Sequence, residues 1–178
     1  LSSPALTDSS AAVTLAQHLE THFGPGTILV SPLADDLAHA NQSARSALAA
    51  AGVAHAWPDC PRVATSAQLL PERVLASQAR ARQALFTEIY EPLRDAGGQL
   101  LHTATSYLEH GSLEATARNL FVHPNTVRYR LKRITDVTGN SLTNPRDAYV
   151  LRLAITLGLL ADGGGEHAVV AEGVQVHD

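Results

Sequence analysis

The chain contains no methionine and a single cysteine, and aromatic residues make up only 4% of its 178 positions. With Cys60 alone, no intrachain disulfide can form, which fits a reducing cytoplasm. So few rings mean that the core must be built mainly from Ala, Leu and Val, a balance that favours closely packed helices. No apolar run reaches the roughly 18 residues of a membrane span, and no basic start leads into an apolar stretch as a secretion signal would. No membrane partner is therefore expected, and the expected location is cytoplasmic. Opening at Leu1 with no Met anywhere, the sequence reads as a fragment of something longer.

Catalytic motifs are missing too. There is no Gly-rich phosphate loop, no Ser–His–Asp ordering and no paired-carboxylate motif. Cys60 lies in Pro58-Asp59-Cys60-Pro61 with only Arg62 nearby to activate a thiol. His18 and His22 stand at i and i+4, a spacing that can bind a metal. The order is not H-E-x-x-H, however, Glu20 points away, and no third ligand is evident, so they read as two surface histidines. The expectation is binding rather than catalysis: no catalytic residue, metal or cofactor.

The informative presence is an uneven charge. Between Gln99 and Ala161 seven basic residues (Arg118, Arg128, Arg130, Lys132, Arg133, Arg146 and Arg152) face four acids (Glu109, Glu114, Asp136 and Asp147). That segment is +3 and the remainder −7, within a net charge of −4. A basic segment in an acidic chain is what a small DNA-binding module attached to a regulatory body would show.

Along the chain, residues 1–10 read as a linker remnant. A helical stripe at Val13, Ala16, Leu19 and Phe23 ends at Gly24-Pro25-Gly26, and Thr27 to Val30 reads as a short buried strand. Leu33 to Ala51 has a helical period, with Gly52 as its C-terminal cap. Val53 to Trp57 is expected as a second strand and Arg62 to Ala64 as a third short piece. From Pro71 one long helix or two shorter ones should follow, with Pro92 kinking or ending the run and Gly97-Gly98 breaking it. Four helical segments come next, Leu100 to Leu108, Leu113 to Leu120, Pro124 to Ile134 and Ala148 to Leu160, before a flexible tail from Asp162. No internal repeat is found. The organisation expected is a linker at 1–10, a mixed α/β unit over 11–97, an all-α unit over 98–161 and a tail over 162–178.

The stretch GSLEATARNLFVHPNTVRYRLKRI, Gly111 to Ile134, carries the function. Ser112 suits an N-cap, and Leu113, Ala117 and Leu120 share one face of a short helix. Ala117 is small where two helices must cross, and Phe121-Val122-His123 makes a three-residue joint with Val122 able to plug the junction. Pro124 then stands at the first helical position, where its missing N–H costs nothing. At about 100° per residue, Val127, Leu131 and Ile134 form a buried stripe. Asn125, Tyr129, Lys132 and Arg133 lie opposite, with Thr126 and Arg128 on the flanks. Such a face can read base edges in a major groove, the N-terminal residues nearest the bases. Asn125, Thr126, Arg128 and Tyr129 are thus the candidates for bases or flanking phosphates, and Lys132, Arg133 and Arg118 for phosphates. His123 either caps the helix or touches a phosphate. Arg130 projects near the core side, where it reaches a phosphate or pairs with an acid.

From Leu100 onward the sequence also resembles a family: VHPNTVRYRLKRI, continued through Leu142-Thr143-Asn144-Pro145, looks like the C-terminal helix-turn-helix of PucR-type (CdaR-like) bacterial regulators. Upstream, GTILVSP, SARSALAAAGV and LLPERVLA resemble the degenerate GGDEF-like domain that commonly precedes it. The resemblance implies an all-α, winged-helix-free DNA-binding domain behind a mixed α/β GGDEF-like unit, in a longer protein with an N-terminal sensor. Actinobacterial regulators of fatty-acid synthesis are the nearest likeness. A working GGDEF cyclase needs a glycine-rich acidic turn, and only Asp35-Asp36, in a helical stretch, are adjacent acids. The α/β unit therefore reads as scaffold or dimer surface.

The function expected is sequence-specific DNA binding within a transcription regulator, with double-stranded operator DNA as partner. A homodimer is expected, since paired half-sites are the usual way such modules gain specificity. The long helix after Pro71 is the candidate interface, and RNA polymerase is a further candidate partner. The alternatives are a protein-interaction module using the basic face against an acidic partner, or a nucleotide-binding regulatory module.

Overall fold

The computed structural model describes residues 9–34 and 36–167. Most of the expected linker, Asp35, and the tail beyond residue 167 lie outside these residues. The chain divides into two compact units between Ala81 and Arg82. Each is built around its own buried residues.

The first unit is a small α/β assembly. Helix α1 (Ser9–His18) leads through a single 3₁₀ turn to strand β1 (Ile28–Val30), and helix α2 (Leu37–Ala51) leads on to strand β2 (Val63–Thr65). The strands are parallel, with Ile28 opposite Val63 and Val30 opposite Thr65. A parallel pair cannot be closed by a tight hairpin, and α2 supplies the crossover. Asp36 is the N-cap of α2, its carboxylate accepting from the His39 amide at 2.8 Å, so it stands at the helix start rather than within the helix. Gly52 is the C-cap as expected from its position, but with right-handed backbone. Ala50, Val53, Ala64, Leu69 and Leu70 are buried here. Arg62 donates to the carbonyl oxygens of Phe23 and Gly24, at 3.3 and 2.6 Å, and so holds the loop that enters β1.

One strand was expected in the wrong place. Val53 to Trp57 is no strand: Ala54–Ala56 forms a 3₁₀ turn, and the partner of β1 is Val63–Thr65. Ala-His-Ala has little preference for a pleated, half-buried surface, while Val-Ala-Thr lies where β1 offers open ladder groups. The ladder is extended by Ile28 donating to the Arg62 carbonyl at 2.7 Å and by Ser66 donating to that of Val30 at 2.9 Å.

After β2 come α3 (Leu70–Leu75) and α4 (Ala79–Ala84), separated by Ser77 in left-handed conformation. The run after Pro71 is thus two helices. The second continues from α4 through a π-helical turn (Leu85–Tyr90) into α5 (Glu91–Asp95). Pro92 has no N–H to give and its ring crowds the preceding turn, so a widened turn just ahead of it is the natural accommodation. Leu85, Ile89, Tyr90 and Leu93 are all buried within the second unit. That is why the compact units divide before this segment and not at Gly97-Gly98.

The second unit is entirely helical among its described residues: α6 (Gly98–His110), α7 (Leu113–Asn119), α8 (Pro124–Thr138) and α9 (Pro145–His167). Gly111 and Gly139 follow α6 and α8 with φ of 69° and 70°, the left-handed cap that glycine adopts without penalty. Asn144 caps α9 by accepting from the amides of Arg146 and Asp147 at 2.8 and 3.1 Å. Helix α9 runs on past Ala161, so Asp162 lies on helix rather than in a tail. Its Gly158 faces Tyr90 so closely that a Cβ there would stand 2.2 Å from the ring. Arg152 of α9 pairs with Glu109 of α6 at 2.8 Å and also donates to the Leu108 carbonyl. Helix α9 is thereby tied both to α6 and to the turn that carries Tyr90.

Candidate nucleic-acid interface

The geometry of the candidate site begins at Ser112. Its hydroxyl accepts from the Ala115 amide at 3.2 Å and starts α7, whose Thr116 and Ala117 are buried. Seven residues later the helix must stop and turn. The Val122 amide donates to the Ala117 carbonyl at 3.0 Å, and the Phe121 amide to that of Arg118 at 3.3 Å. This paired closure is a Schellman motif, and it requires left-handed backbone at the residue after the cap. Phe121 fills that position with φ of 53°. Val122 is half-buried at the junction between the helices.

Helix α8 then starts on His123, whose Nδ1 accepts from the Asn125 amide at 3.2 Å, with Pro124 in the first turn. Of the two roles open to His123, capping is thus visible in the structure, while its ring remains exposed. Val127 and Ile134 are fully buried and Leu131 nearly so. Pinned by that stripe, α8 turns Asn125, Arg128, Tyr129, Lys132 and Arg133 to solvent, and Thr126 is half-buried at the margin. Arg118 of α7 is exposed as well.

Three side-chain hydrogen bonds order α8, one on its outer face and two behind it. Arg128 donates to the Asn125 side-chain oxygen at 2.6 Å, one helical turn away. Arg130 turns inward, donating to Gln99 Oε1 at 2.6 Å and Thr103 Oγ1 at 3.3 Å. Arg130 projects toward the core side as expected, but its partners there are an amide and a hydroxyl of α6 rather than an acid. The guanidinium braces the recognition helix against α6, and Asn119 does the same for α7 by donating to Ser106 Oγ at 3.0 Å. Sequence reasoning missed Gln99, Thr103, Ser106 and Asn119, because nothing local signals a partner 13 to 31 residues away.

Among the described residues, no carboxylate stands within ion-pair distance of Arg118, Arg128, Lys132 or Arg133. By contrast, Arg94 and Arg152 of the same unit are paired with acids. An exposed run of unneutralised cations, interleaved with an amide and a phenol, is chemically suited to an anionic partner carrying hydrogen-bonding edges.

Elsewhere the leads are quieter. His18 Nδ1 lies 2.7 Å from the Thr14 carbonyl oxygen, and His22 Nδ1 lies 3.4 Å from Thr21 Oγ1. Among the described residues no group of three His, Cys, Asp or Glu could hold a metal ion. Cys60 is half-buried, with Thr27 Oγ1 at 3.9 Å from its sulfur. No helix among the described residues is long and apolar enough to cross a membrane.

Residues 100–157 match the model of the PucR C-terminal helix-turn-helix domain. An uncharacterised protein of Mycobacterium tuberculosis is 49% identical over 139 residues, which is 78% of this chain and 34% of the relative. The purine catabolism regulatory protein of Bacillus subtilis is 46% identical over 59 residues, 33% of this chain and 11% of the relative. Among solved structures, a regulator of polyketide synthase expression from Bifidobacterium adolescentis superposes with a TM-score of 0.72 at 34% identity, covering 90% of this chain and 63% of that one. The chain spans about a third of the length of the first of these relatives.

Proposed function

Because residues 100–157 are a helix-turn-helix domain of the PucR type, a family of transcriptional regulators and not of enzymes, we propose that this chain is the DNA-reading part of a bacterial regulator. In this reading α8 enters a major groove. Asn125, Thr126, Arg128 and Tyr129 meet base edges or the phosphates beside them, while Lys132, Arg133 and Arg118 hold the backbone and fix the register. His123 adds a phosphate contact from its exposed ring. The observation that carries the reading is the division of α8 into a buried stripe and an outer face whose cations have no acidic partner among the described residues.

Two copies reading paired half-sites would give the affinity that one small module lacks, so a homodimer belongs to the proposal. The α/β unit, with its parallel strands joined through α2, serves as a degenerate GGDEF-like scaffold. The protein acts in the cytoplasm, where the DNA is, and RNA polymerase is the machinery its binding would assist or block.

Selection of this chain on randomised duplex DNA, followed by a salt series on the enriched sequence and on Arg128→Ala, tests the reading. A defined motif, a steep fall of affinity with salt and a loss in the variant are expected. No enrichment and no salt-dependent binding at low salt would overturn it.

A further inference from the structure

Phe121 is the one large apolar side chain of the helix-turn-helix left almost wholly in water, at 95% exposure. Its backbone is also left-handed, with φ of 53°, in the Schellman position where glycine is the usual occupant. Both features are unfavourable for a phenylalanine in the free protein, and glycine would relieve both. Its near neighbours along the chain, Arg118, Asn119 and His123, are exposed as well, and so is Asn125 in the first turn of α8. A single ring among cations and amides is not the contiguous apolar patch that a protein partner would cover. It does match a polyanion that carries small apolar groups between its charges, as duplex DNA does with its thymine methyls and sugars.

We infer that the Phe121 ring is a DNA contact, packing on a thymine 5-methyl or a deoxyribose face beside the bases that Asn125 and Arg128 address. The inference rests on the DNA-reading proposal above and adds an apolar contact to it. The turn would hold the ring ready at the mouth of the groove, because its Schellman hydrogen bonds and the His123 cap fix the chain on either side.

The test uses the 178-residue chain, the duplex that the wild type enriches, and the variants Phe121→Gly and Phe121→Asn, both residues that accept left-handed backbone. Each variant should melt at or above the wild-type temperature yet bind that duplex about tenfold more weakly, the scale set by partly burying one ring. The salt slope should not change, since no charge is altered. Uracil in place of thymine should weaken the wild type but not Phe121→Gly if the contact is a methyl, and should affect neither if it is a sugar. Binding within twofold of wild type for both variants overturns the inference and leaves the DNA-reading proposal standing. A lowered melting temperature in both overturns it too, by showing that the ring packs within the protein. Failure of the wild type to enrich any duplex overturns both ideas together.

Discussion

Arg128 and Asn125 hold each other in the free protein: the guanidinium donates to the amide oxygen at 2.6 Å across one turn of α8. Two of the four groups proposed to meet bases are therefore one unit in the absence of DNA. Preorganised donors lose less freedom on binding. Asn125→Ala and Arg128→Ala should each weaken binding to the selected duplex by about 1–3 kcal/mol and relax base preference at neighbouring positions. The double variant should lose less than the sum, with a coupling of about 0.5 kcal/mol or more. Strictly additive losses in a double-mutant cycle would show that the pair acts as two separate contacts.

Lys132 and Arg133 lie further along the same face, with no carboxylate in ion-pair distance among the described residues. If they hold phosphates, each change to Ala should weaken binding to all duplexes alike and lower the slope of log affinity against log salt by about 1. The motif enriched from a random pool should be unchanged. A shifted motif in Lys132→Ala would move that residue to the base-reading group.

Gly158 and Tyr90 give the clearest stability prediction. A Cβ on Gly158 would come within 2.2–2.3 Å of three ring atoms of Tyr90, which is itself buried. Alanine is the better helix former by about 1 kcal/mol, but overpacking a filled site typically costs about 1–3 kcal/mol and a rigid ring gives little way. Gly158→Ala should therefore lower stability by about 2 kcal/mol, measured by urea unfolding. An unchanged midpoint would mean that α9 can slide away from the ring.

The Tyr90 hydroxyl donates to Asp162 at 2.5 Å. Its pKa is pushed up to about 12, chiefly by burial, then by the hydrogen bond and the charge of Asp162, with Arg94 opposing. The ordinary tyrosine value is 10.0. A raised acid stabilises the fold fully below the ordinary value and loses that contribution as pH climbs through the raised one. The stability lead of wild type over Tyr90→Phe should thus hold below pH 10 and shrink between about pH 10 and 12. A tyrosinate absorbance step near 12, missing in Tyr90→Phe, is the matching spectroscopic readout.

What could be read from the sequence was what short-range chemistry decides. Ser112 and Pro124 mark the starts of α7 and α8 because capping and first-turn preferences act within a few residues. The spacing of Val127, Leu131 and Ile134 likewise follows from helix geometry alone. Strand β2 was legible only in part: the short piece expected at Arg62 to Ala64 overlaps it, but the strand expected at Val53 to Trp57 does not form, and the two segments differ in what stands beside them more than in composition. The division before Arg82 was hidden for the same reason: Leu85, Ile89 and Leu93 announce a helix but not which unit buries them. Arg130 was misjudged because a charge on a basic helix invites a charged partner, and only the fold brings Gln99 and Thr103 to it. Phe121 was read only as part of the joint, because the need for left-handed backbone after Leu120 shows only once the turn is closed.

The inward turn of Arg130 makes α6 a hidden adjuster of whatever α8 reads. Gln99 and Thr103 sit behind the recognition helix yet grip it through a guanidinium. Changing the side chain at either position would remove that grip while leaving every outward group of α8 unaltered. If α8 reads DNA as proposed, substitutions at its rear side can change binding without altering any residue of its outer face.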